Sequence, residues 1–151
     1  MTYTNKLKLE IISDFIWGSS SIAILALNVQ NKINTIITIT FIIIIAVICQ
    51  CIQIYVNKSW KHLWSISTLH MIIYFSSIFI MAIIMQIFDI WDYYLCFFYL
   101  LVAGHAVILD IEYYIKANKY DMNNLNSIQE LIEKYPETEK MINQNILYKL
   151  N

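Results

Sequence analysis

The chain has 151 residues, of which 59 % are hydrophobic and only 14 % charged, against roughly a quarter charged in soluble domains, so lipid is the expected solvent. Two Gly and one Pro leave little turn chemistry for a β-rich fold, and the apolar runs far exceed the roughly ten alternating residues of a barrel strand. A net charge of −1 with no Arg at all removes the bidentate reader of phosphate and guanine and excludes nucleic acid as the expected partner.

Apolar runs of about 17 to 25 residues suffice to cross a bilayer as helices. Four occur, at Ile11–Val29, Ile36–Val56, Ile66–Phe88 and Tyr93–Ile115. The first is diluted by Asp14 and Ser19 to Ser21, and the second is the most apolar, with Ile42 to Ile48 at its centre. Lys-rich loops stay cytoplasmic. Lys6 and Lys8 precede the first span, Lys58 and Lys61 separate the second from the third, and Lys116 and Lys119 follow the fourth. The other two connections hold Lys32 alone and the acids Asp89 and Asp92. Both termini are therefore expected in the cytoplasm. Tyr55, Trp60, Trp64, Tyr113 and Tyr114 mark the inner interface, and Trp91, Tyr93 and Tyr94 the outer one.

After Lys119 apolar residues recur at helical spacing among charges: Leu125, Ile128, Leu131 and Ile132, then Met141, Ile142, Ile146 and Leu150. Ser127 with Glu130 forms a capping box, and Pro136 separates the two stretches. The expected fold is an all-α integral membrane protein. It comprises a four-transmembrane-helix antiparallel bundle over residues 1–119 and a short cytoplasmic C-terminal helical hairpin over 120–151, whose apolar faces are expected to pack together as a hairpin or to dock a partner rather than lie on the membrane.

Each span carries one stripe of small or polar residues at alternating four- and three-residue steps. The stripes are Asp14, Gly18, Ser21, Leu25 and Asn28; Ala46, Gln50, Gln53 and Asn57; Ser67, His70, Tyr74, Ser77 and Met81; and Cys96, Tyr99, Ala103, Ala106, Asp110 and Tyr113. At 1.5 Å rise per residue, Asp14, Gln50, Gln53, His70 and Asp110 all fall roughly 5–9 Å from the inner ends of their spans. They are expected to form one polar layer inside the bundle. Helix packing and interface solvation come first as the account of such residues, ahead of an ion, proton or ligand site. His105 and Glu112 define a second polar face on the fourth span.

Enzyme motifs are absent from the sequence, no close-spaced metal-ligand motif occurs, and neither a metal nor a cofactor is expected. Small multidrug transporters share four spans and an acid in the first, but their glycine-rich packing is missing. Cys49, Cys51 and Cys96 lie at opposite halves of their spans and do not suit the paired outer-face cysteines of disulfide oxidases. The leading expectation is an accessory, anchor or interaction subunit of a membrane complex, acting by helix–helix association with lipid and with a homo-oligomeric or other membrane-protein partner. The alternative is a self-assembling pore or proton- or ion-coupled channel that uses the polar layer. A membrane enzyme with His70 as general base comes third.

Overall fold

The computed structural model describes residues 1–62 and 68–143, without the side chains of 62, 68–71, 74 and 75. The chain forms α1 (Tyr3–Val29), α2 (Thr35–Asn57), α3 (Thr68–Phe88), α4 (Tyr94–Lys119) and α5 (Ile128–Lys134), followed by helical residues 138–143. Short 3₁₀ turns at Trp60–His62 and Trp91–Tyr93 precede α3 and α4. No strand occurs among the described residues. Three helices, Tyr3–Val29, Thr35–Asn57 and the run Trp91–Lys119, are long and apolar enough to cross a membrane; Ser76–Phe88 of α3 is a shorter apolar helix.

The local chemistry explains the boundaries. The α1 helix starts eight residues before the expected span, because the Thr2 hydroxyl accepts from the Asn5 N–H at 3.4 Å and the Lys, Leu and Glu that follow are good helix formers. Asn34 caps α2 by accepting from the Ile36 N–H at 2.7 Å. With so few glycines, Asn31, Asp89 and Asp121 fill the left-handed positions after α1, α3 and α4 at φ 55°, 52° and 47°, a conformation that Asn and Asp tolerate best among residues with a Cβ. Hydroxyls on the apolar walls bond back to their own helices: Ser19 to Phe15 O, Thr40 to Ile36 O and Ser77 to Ile73 O. That removes the cost of a bare hydroxyl in hydrocarbon.

The α1 helix is the hub, packing most extensively on α4 and then on α2, whereas α3 packs chiefly on α4. Its buried residues Tyr3, Leu7, Glu10, Asp14, Gly18, Ser21 and Leu25 form one stripe, which coincides with the small-and-polar stripe read from the sequence and extends it toward the amino terminus. The α4 helix answers with Cys96, Ala103, Asp110 and Ala117, one buried residue every seven. The interface runs from the Trp17–Tyr99 ring pair at 5.6 Å, past Gly18 against Ala103, to Lys8 over the Tyr114 ring at 5.6 Å.

On α2 the buried face differs from the expected one. Thr38, Cys49 and Val56 are buried, and Gln50 and Asn57 are exposed. The reason is that α2 is apolar nearly all round, so periodicity does not select a face; the α1 surface does, by presenting Ser13 to Cys49.

The tail also departs from expectation. Leu125, Leu131 and Ile142 are buried with Tyr3, Leu7, Val56, Ala117, Tyr120 and Met122 in one core, flanked by Trp60, Tyr113, Tyr114, Ile128, Ile132 and Tyr135. The apolar face expected to receive a partner is covered by the chain's own α1, α2 and α4. Burying it there stabilises the fold by about 25 cal/mol for each Å² of apolar surface removed from water, without a second molecule. Ile146 and Leu150 lie outside the described residues.

Candidate functional site

The α1 stripe places Asp14 and Glu10 one turn apart on the face that meets α4. Measured along the helices from the Gly18–Ala103 contact, Asp14 lies roughly 6 Å toward the terminal end, Asp110 roughly 10 Å and Glu10 roughly 12 Å. Asp110 thus falls between the two acids of α1 in depth. All three are buried, at 3 % exposure for Glu10 and Asp14 and 6 % for Asp110.

Asp14 and Asp110 are close enough across the α1–α4 interface to act on each other, and Glu10 acts electrostatically on both. Two carboxyls hydrogen-bond each other only when a proton sits between them, so a neighbouring buried pair of this kind is suited to hold one. From α2, Gln53 Nε2 donates to Asp14 at 3.3 and 3.4 Å, and Gln50 Nε2 donates to Gln53 Oε1 at 3.4 Å. Beside Asp14, the Ser13 hydroxyl donates to Cys49 Sγ at 3.1 Å, which seats a buried thiol at the α1–α2 contact. Tyr113, one turn from Asp110, adds a further polar ring in the field of Asp110 and Glu10. Asp110 Oδ2 is buried and has no hydrogen-bond partner among the described residues.

Of the five residues expected in one layer, Asp14, Gln53 and Asp110 come together. Gln50 reaches the layer only through Gln53 and is itself exposed, a correction that follows from the rotated face of α2. The side chain of His70 is outside the described residues. Among the described residues no group of three or more His, Cys, Asp and Glu is arranged to hold a metal. On the second polar face, Glu112 pairs with Lys116 one turn along α4, and His105 is half-buried.

Glu10 and Ser13 were not among the expected site residues. Glu10 precedes the first expected span; its signal is its place on the 3, 7, 10, 14, 18 spacing of α1, legible only when the helix is extended back to Tyr3. No protein-family model, curated protein or solved structure matches this chain.

Proposed function

We propose that this chain is a four-span membrane protein, an antiparallel bundle with both termini cytoplasmic, that works by helix–helix association in the bilayer as an accessory or anchoring subunit. The observation that carries the reading is Gln50. It is exposed on α2 among Ile43, Ile44, Val47, Ile48 and Ile54, all of which are also exposed. A side-chain amide on an apolar wall is costly against lipid and favourable against another helix, where interhelical hydrogen bonds contribute about 1–2 kcal/mol in model peptides. The tail, spent on its own bundle, leaves the membrane face as the surface for a homo-oligomeric or heteromeric partner.

The test is the size of the complex after extraction in mild detergent, with cross-linking in native membranes. An assembly larger than one chain that Gln50→Leu disperses supports the reading; a chain that is monomeric in both measurements refutes it.

A second reading is favoured by the Asp14–Asp110 pair: a proton- or ion-coupled channel or carrier. Buried intramembrane carboxyls are a functional-site hypothesis by default. Proton flux into liposomes that falls in Asp14→Asn and Asp110→Asn supports it. Flux equal to that of protein-free liposomes counts against it.

A further inference from the structure

Between the carboxyl cluster and the terminal end lie Tyr3, Leu7, Val56 and Ala117, and over them sit Tyr120, Met122, Leu125, Leu131 and Ile142. Leu7, Val56 and Ala117 have no exposed surface at all, although each lies within the last two turns of its helix at this end. The tail is what covers them.

Two polar contacts hold the cover at its start. The Asn123 carboxamide grips Thr4 twice: Oδ1 accepts from the Thr4 N–H at 3.0 Å and Nδ2 donates to Thr4 Oγ1 at 3.0 Å. The Thr4 N–H is one of the first-turn donors that a helix cannot satisfy internally, so the tail supplies part of the α1 cap. On the other side, Lys61 donates to the Met122 carbonyl and lies over the Tyr3 ring at 5.3 Å. Asn123 itself is exposed, unlike the apolar residues around it. Of these two contacts it is the one whose tail side chain is exposed, where solvent competes best.

We propose that residues 120–143 form a stopper that shuts the terminal-end approach to the Asp14–Asp110 pair, with the Asn123–Thr4 clasp as its release point. The apolar contacts seal the approach and the clasp sets how often the seal opens, because a neutral two-bond clasp is small beside the buried core and is lost first. This rests on the carboxyl pair being a group that needs access, but the measurement below reads access alone and not transport.

Cys49 is the reporter. It is buried against Ser13 at the level of Asp14, two turns above Val56. In a Cys51→Ala background, vesicles exposing the terminal end are treated with a charged, membrane-impermeant thiol reagent, and modification of Cys49 and Cys96 is followed by mass. The parent is expected to protect both. Asn123→Ala is expected to raise the Cys49 rate about tenfold, the scale of losing two neutral hydrogen bonds, and Leu131→Ser to raise it further, with Cys96 still protected. Equal Cys49 rates in the parent and both variants overturn the proposal. So does modification of Cys96 together with Cys49, because the helices have then come apart and the tail is not a separable closure. Liposome flux is measured separately: stoppered access without flux defeats the transport reading and leaves the stopper standing.

Discussion

Replacing Gly18 by alanine adds one methyl group at the tightest point between α1 and α4. A Cβ built there falls inside 3.0 Å of Ala103 Cβ, a separation that real Cβ atoms do not show, and ordinary contact begins only at 3.4 Å. Neither atom is the far end of a flexible side chain, so the two backbones must part by on the order of 1 Å. Overpacking of this kind costs typically about 1–3 kcal/mol. Against it stands the helix-propensity gain of Ala over Gly, about 1 kcal/mol. Gly104 provides the control, because a Cβ at that position meets nothing within 4 Å and Gly104→Ala reads the propensity gain alone. Unfolding in a detergent–SDS titration, followed by circular dichroism, should therefore place Gly18→Ala about 1–3 kcal/mol below Gly104→Ala. Adding Ala103→Gly to Gly18→Ala should restore most of the loss, since the Ala103 Cα would sit at an ordinary 3.7 Å from the new methyl. A Gly18→Ala protein as stable as Gly104→Ala would refute the close approach of α1 and α4, and with it the geometry that brings Asp14 to Asp110.

Leu131 is 1 % exposed in the tail core, so Leu131→Ala should cost about 2–4 kcal/mol of tail docking, read as faster proteolytic cleavage near residue 135 with the spans still inserted. Unchanged cleavage would mean that the tail does not rely on this core. Deleting residues 125–151 should likewise lower the stability of the whole bundle, because Tyr3, Leu7 and Val56 lose their cover; a deletion variant as stable as the parent would contradict that. Asp121 holds its carboxyl below the usual carboxylate range through the Asn124 amide first and Lys134 next. Its folded form is favoured when ionised, so its contribution is complete above the unfolded value near 3.8 and is lost as pH falls through the lower folded value. Tail cleavage should rise on acidification below about pH 4, and Asp121→Asn should remove the Asp121 share of that rise.

Lys61 works in the same sense in a higher pH window. Burial lowers its affinity for a proton, Lys6 adds to that, and Asp121 and Glu130 oppose it. Between the lowered folded value and the ordinary unfolded one, the unfolded chain binds more protons, so stability rises with pH across that window. The neutral amine still donates to the Met122 carbonyl. Docking of the tail therefore gains on the alkaline side from Lys61 and loses on the acid side from Asp121.

What the sequence determined by itself is what depends on neighbours along one helix. Apolar length set the membrane helices, Ser127 set the start of α5, and the alternation of small and polar residues on α1 and α4 set the faces that meet, because a contrast at 3.6-residue spacing is a local property. What only the tertiary structure decided are the places where that contrast is missing or misleading. An isoleucine-rich α2 has no distinguished side until Ser13 selects Cys49, and so Gln50 turns outward. Glu10 reads as a solvated charge until α1 extends back to Tyr3 and puts it on the buried stripe. The apolar face of that tail is the same pattern whether it meets another molecule or its own bundle. The outcome here follows from the exposed ends of α1, α2 and α4 lying within reach of the residues after Lys119, an attachment that sequence spacing does not encode.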